Sequence, residues 1–123
     1  MKSLHRILLG ALLLTVGIYW TAAAPHPQDM VTVAPNNTKV LLDNDRVRVL
    51  DFHGGPGDKI GMHSHPDYVT YLISGNGKST FTAPDGKTTT TEQHPGQAAW
   101  HSAETHSSTS SAVTHAILIE LKK

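Results

Sequence analysis

At 123 residues the chain has room for one domain and one modest core, since a domain takes roughly 100–200 residues. Its ten basic and ten acidic residues cancel, so no basic stripe is offered to nucleic acid; with no cysteine, neither a disulfide scaffold nor a lipid-bearing cysteine is open to it. Stability must come from a packed core, a bound metal or a partner subunit.

In chain order, the first 24 residues read as a secretory signal. Lys2, His5 and Arg6 precede an apolar run from Ile7 to Trp20, and the small residues of "TAAAP" follow, which is the layout of a cleavable leader with its cut near Ala23 or Ala24. The run is short of the roughly 20 residues a spanning helix needs, so export to a secreted or periplasmic location is expected without a permanent membrane anchor. Removing Lys2 and Arg6 from the ten basic residues leaves eight against ten acidic ones, a slightly acidic product. Residues 25–37 hold Pro, His, Gln and Asp around the short alternation "MVTV" and read as a linker or edge strand. That segment is expected to pack against a neighbour, in a homodimer.

From residue 38 to 123 turn chemistries recur every eight to twelve residues: Asn44-Asp45, the Gly54–Gly57 cluster, Gly75-Asn76-Gly77, Pro84-Asp85-Gly86 and Pro95-Gly96. Between them lie "KVLLD", "RVRVLDFH", "KIGMHSH", "YVTYLIS", "KSTFTA", "KTTTTE", "QAAW" and "AVTHAILIEL". None carries a sustained 3.6-residue period, so the expectation is an all-β sandwich or barrel. The polar run "SSTSS" reads as a turn.

Seven of the nine histidines fall between His53 and His115. His26, His53 and His94 sit in or beside Pro- and Gly-rich loops and read as exposed or hydrogen-bonded, and His101 beside Trp100 reads as surface. His63 and His65 differ, because residues i and i+2 of a strand share a face. They present two imidazoles side by side, either as half of a metal site or as two hydrogen-bonded residues, and a third ligand would have to come from elsewhere. His106 is the best placed for this, after a Pro-Gly turn and a short apolar strand. His115 competes with it, but on the alternation of "AVTHAILIEL" it shares a face with Val113, Ile117, Ile119 and Leu121, which places it in the core with a supporting role.

The stretch "GDKIGMHSHPDYVTYLISG" resembles the first motif of the cupins: a Gly, five residues, His-x-His, then a strand ending at Gly, here Gly57, His63, His65 and Gly75. The stretch from Gly96 to His106 is similar to the second motif, in which a single His faces back into the barrel. The resemblance is to a small single-domain cupin of the cupin 2 type and covers Lys39 to Leu121. It implies a single antiparallel jelly-roll barrel of six to eight strands, with His63, His65 and His106 as ligands of one divalent metal ion, whether Fe, Zn, Mn, Cu or Ni. Two departures stand out. The Glu usual after the second His is absent from Pro66–Thr70, and the Asn usual after the last His is replaced by "SSTSS". Three neutral imidazoles leave a divalent ion at +2, which weakens metal retention and attracts anions.

Glu104 and Asp67 are the carboxylates within reach as a fourth ligand, while Tyr68, Tyr71 and Trp100 are candidates for the pocket wall. Arg46 and Arg48 read as a solvated edge, with a substrate carboxylate as their alternative partner. Three-histidine centres occur in cupin dioxygenases of thiols and β-diketones, so one expectation is a mononuclear non-haem metal dioxygenase of a small anionic substrate. The alternative is a non-catalytic barrel that binds a small-molecule ligand or a metal in the periplasm. Zinc hydrolysis or hydration ranks third, for want of a general base or proton shuttle.

Overall fold

The computed structural model describes residues 28–123; the leader expected over residues 1–24 lies outside them. One helical turn, α1 (Met30–Val33), precedes nine strands: β1 (Thr38–Asp43), β2 (Val47–Gly54), β3 (Lys59–His65), β4 (Tyr68–Gly75), β5 (Lys78–Thr82), β6 (Thr88–Glu92), β7 (Ala98–His101), β8 (Glu104–Ser110) and β9 (Thr114–Leu121). The paired strands are antiparallel and form a five-stranded sheet, β1-β2-β9-β4-β7, and a four-stranded sheet, β3-β8-β5-β6. Consecutive strands mostly alternate between sheets, which wraps the chain into a jelly roll. Among the described residues no helix is long and apolar enough to cross a membrane.

The turns form where their residue chemistry predicts. Asn44 Oδ1 accepts hydrogen bonds from the backbone N–H groups of Arg46 and Val47 at 2.8 and 2.9 Å, an Asx turn between β1 and β2. Gly86 and Gly96 adopt φ of 84° and 83°, a region open to Gly and strained for other residues.

Three local expectations are corrected. The "MVTV" alternation, read as a linker or edge strand, is the helical turn α1: the N–H of Val33 bonds to the carbonyl of Asp29 and that of Ala34 to Met30, and Met30, 4% exposed, plugs the core. The polar run "SSTSS", apart from its last residue Ser111, lies in strand β8, paired with β3 on one side and β5 on the other. Ser108 and Ser110 line the cavity, while on the opposite face Ser64 Oγ meets Thr105 Oγ1 across the ladder at 2.5 Å.

The third correction concerns β9, whose buried face carries Thr114, Ala116, Leu118 and Glu120. His115, Ile117, Ile119 and Leu121 point to the outer face, opposite to the expectation for His115. Both faces of this strand are apolar, so hydropathy could not choose between them. The smaller set faces inward because the barrel keeps a cavity there. The apolar core is correspondingly small: Met30, Leu50, Tyr68, Ala116 and Leu118, with Phe52 and Leu72 packed against it.

Candidate metal centre

Strand β3 brings His63 and His65 to the interior, and its ladder with β8 sets His63 directly opposite His106. The three side chains are 1%, 5% and 5% exposed. Their ring centroids lie 4.8 Å apart for His63–His65 and His63–His106 and 5.4 Å for His65–His106, and one nitrogen of each converges within 4.8 Å of the others. Alternation along β3 and cross-strand register thus assemble the trio.

Each ring is held by its surroundings. Nδ1 of His63 lies 2.7 Å from the carbonyl oxygen of Gly61, an acceptor only, so this nitrogen carries the proton and Nε2 keeps its lone pair. Nδ1 of His65 lies 2.7 Å from Glu120 Oε1 and donates to that carboxylate, which again frees Nε2 in the neutral ring. A histidine whose far nitrogen is fixed by a carbonyl or carboxylate is the usual arrangement of a metal ligand. Nδ1 of His106 is buried without a hydrogen bond to any described residue, 3.4 Å from Glu104 Oε1. A buried nitrogen without a partner carries a desolvation cost that a hydrogen bond or a metal bond would relieve. The donor set fits a divalent transition ion.

Burial lowers the pKa of His63 to about 4; the Gly61 carbonyl opposes the shift, and the neighbouring His65 and His106 add to it. His106 is lowered chiefly by burial as well, with Glu104 acting against it. Both rings are therefore neutral near pH 7, as ligands must be. In metal-free protein an unfolded His63, titrating near 6.5, takes up its proton before the folded one does. Stability is thus complete above about pH 6.5 and lost as pH falls toward about 4. We expect a loss of about 2 kcal/mol at pH 5 from this residue, a melting temperature lower by roughly 10 °C than at pH 7.5. Equal thermal melts at the two pH values would contradict it.

The carboxylate behind His65 was not foreseen. Glu120, 1% exposed, faces Arg48 across the β2–β9 ladder and accepts from its Nε at 2.7 Å; Arg48 in turn pairs with Asp29. The chain Asp29–Arg48–Glu120–His65 runs from the start of α1 to the trio. Arg48 is therefore committed to these carboxylates and is neither a solvated edge nor free for a substrate. Its pKa is raised, first by the hydrogen bond to Asp29 and then by Glu120, although burial opposes this. The sequence signal was an acid inside "AILIEL", two residues from Leu118 on the same face.

The other candidates separate by strand parity. Tyr68, 3% exposed, stacks on His65 at 4.5 Å and donates its hydroxyl to Glu104 Oε1 at 2.5 Å. Burial and that carboxylate both raise its pKa, so the phenol stays protonated. Burial opposes the charge of Glu104, but Tyr68 and His106 outweigh this and lower its pKa. Tyr71 and Trp100, 44% and 58% exposed, lie on the outer face and do not line the pocket. His101, read as surface, instead lines the cavity and stacks on Tyr68 at 4.5 Å. Asp67 is a loop anchor that accepts from the backbone N–H of Ala103 at 2.8 Å. Neither it, Glu104 nor Glu120 belongs to the converging group.

Beside the trio lies a cavity of about 240 Å³, walled by Phe52, Ile60, Leu72, Phe81 and Leu118 and by a polar end at Gln93. The amide of Gln93 bonds to Ser79 and Thr114 at 2.8 and 2.6 Å. Among the described residues no lysine or arginine lines it.

No family model matches the chain, and no curated protein matches it. Among solved structures it is similar to a cupin domain from Bordetella pertussis Tohama I, with 27% identity over 70% of this chain and 92% of that one and a TM-score of 0.62. A cupin superfamily protein from Desulfitobacterium hafniense DCB-2 follows at 17% identity, 70% and 76% coverage and a TM-score of 0.54. The polyketide cyclase RemF from Streptomyces resistomycificus has 20% identity, 70% and 64% coverage and a TM-score of 0.50. The fold is a cupin fold, and the three-histidine group within it points to metal binding.

Proposed function

We propose that this cupin barrel holds one divalent transition metal through His63, His65 and His106 and uses it in the oxidation of a small anionic molecule by oxygen. The observation that carries the reading is the convergence of three buried imidazoles on one point at the wall of a mainly apolar cavity. A metal with three neutral protein ligands supplies open positions for a substrate and oxygen. The protein's own residues do the rest. Glu120 and Gly61 fix the orientation of two rings, Tyr68 holds a proton against Glu104 beside the third, and Phe52, Leu72 and Phe81 keep water from the site. With no lysine or arginine among the described residues of the cavity wall, the positive charge for an anionic substrate would come from the +2 centre held by the three histidines, and a molecule of modest size is expected.

A second reading, a barrel that binds a metal or small molecule without catalysis, is favoured by the tight turns, which leave few long loops to build a specific pocket. The two are separated by measuring metal content of the chain from Pro25 onward, then oxygen uptake by the iron-loaded protein with thiols and β-diketones. About one ion per chain with uptake supports the dioxygenase reading, and one ion without uptake supports the binding barrel. Protein that stays free of metal after incubation with ferrous iron, zinc, copper and manganese would sink the metal-dependent reading and leave a barrel that binds a small molecule only.

We infer export from the leader at residues 1–24, and dimerisation through the outer face of the five-stranded sheet. There Val49 and Val69 flank Ile119, Tyr71 adjoins Ile117, and Trp100 lies opposite Val69. Such a patch is usual at a partner interface. Sedimentation as a monomer at micromolar concentration would exclude it.

A further inference from the structure

The outer face of the five-stranded sheet carries another group of ligand-type side chains, outside the cavity. Asp51 and His53 are two apart on β2 and share a face, and His53 lies directly opposite His115 on β9. The two imidazoles stack with centroids 4.0 Å apart and planes 21° from parallel. His115 Nε2 lies 2.7 Å from Asp51 Oδ1, and His53 Nε2 lies 3.2 Å from Asp51 Oδ2. Both rings turn the same nitrogen toward one carboxylate, and one donor atom of each residue lies within 4.8 Å of the others.

We propose that Asp51, His53 and His115 form a second metal site, on the outer wall of the barrel, for zinc or copper(II). Neutral imidazole exchanges its proton between nitrogens, so moving both protons to Nδ1 turns two donors into two lone pairs facing a carboxylate. Bonds of about 2.0–2.2 Å place the donors of a tetrahedral ion roughly 3.4 Å apart. The His115 and His53 nitrogens, 2.7 and 3.2 Å from the two oxygens of the carboxylate, need move away from it by about 0.7 and 0.2 Å to reach that spacing. Two imidazoles and one carboxylate suit borderline ions such as zinc and copper, and do not suit magnesium or calcium.

Access and charge agree. The side chains of Asp51, His115 and His53 are 21%, 28% and 59% exposed, and they sit at the His115 end of the sheet, where the apolar stripe of Ile117 and Ile119 gives out. Burial opposes the charge of Asp51, but hydrogen bonds from His115 and His53 outweigh it and lower its pKa, so the carboxylate is ionised. Lys39, opposite Asp51 on β1, is the nearby cation by register and makes no ion pair with it.

The test is a zinc titration of untagged protein from Pro25 onward, followed by calorimetry and by the imidazole nitrogen resonances. We expect a binding event that shifts His53 and His115 together, is weakened at least tenfold in His53→Ala and in His115→Ala, and leaves the signals of His63, His65 and His106 as in the parent protein. Asp51→Asn, which keeps the shape, should weaken it as well. The outer event should persist even if the barrel trio takes up no metal, so failure of the internal centre is separately visible. Resonances of His53 and His115 that do not move at millimolar zinc, or an event unchanged in both alanine variants, would overturn the proposal.

Discussion

Alanine at His63, His65 or His106 is expected to abolish stoichiometric metal in each case, with the β-rich far-ultraviolet spectrum preserved. Three donors are the fewest that hold a divalent ion against water in a site of this kind, and among the described residues no carboxylate joins the group to replace a lost one. The three variants should differ in stability. His63→Ala frees only the carbonyl of Gly61, an exposed residue that water can satisfy. His65→Ala removes a partner from Glu120, whose side chain is 2% exposed, and a buried polar group deprived of a partner costs about 1–3 kcal/mol. His106→Ala removes a ring whose Nδ1 already lacks a partner, so its loss is chiefly packing against Phe81, 5.1 Å away. Metal analysis beside thermal melts reads both effects. Retained metal in any two variants would remove the assignment.

How much of this was legible in the chain depends on what each signal needed. His63 and His65 were readable because two-residue alternation is local, and His106 because it follows a Pro-Gly turn and a short apolar strand. The faces of β9 were not readable. Thr114, Ala116, Leu118 and Glu120 against His115, Ile117, Ile119 and Leu121 offers two plausible cores, and the cavity, a property of the whole barrel, decides for the smaller set. The same parity explains Trp100 and His101: large aromatics are ordinarily interior, yet here the interior register of β7 carries Ala99 and His101, leaving Trp100 on the apolar outer face. Strand β8 was obscured because Ser and Thr serve both turns and strands. The anchoring of His65 by Glu120 spans 55 residues, and no local pattern carries a pairing of that range.

That anchoring makes Glu120 the residue whose replacement should reach furthest beyond its own contacts. It accepts from His65 with one oxygen and from Arg48 with the other, so it orients a ligand and neutralises a partly buried guanidinium together. Removing one member of a buried ion pair costs about 3–5 kcal/mol, and loss of the group behind a ligating histidine costs about 10–100-fold in metal affinity. Glu120→Ala should show the affinity loss at full size and a stability loss at or below the lower end of the other range, because Arg48 keeps Asp29 as a partner. Glu120→Gln keeps an acceptor for the His65 Nδ1–H but loses the charge opposite Arg48, so its affinity should fall nearer the lower end of that range. Arg48, still paired with Asp29, is not left alone in either variant, which favours a folded product. Metal affinity measured well below each melting temperature separates the two roles. A graded loss in the order parent, Gln, Ala means that Glu120 acts on the centre through His65. Equal affinities with lowered melts would mean that the carboxylate serves the fold alone, and that the geometry at His65 is set by its packing against Tyr68.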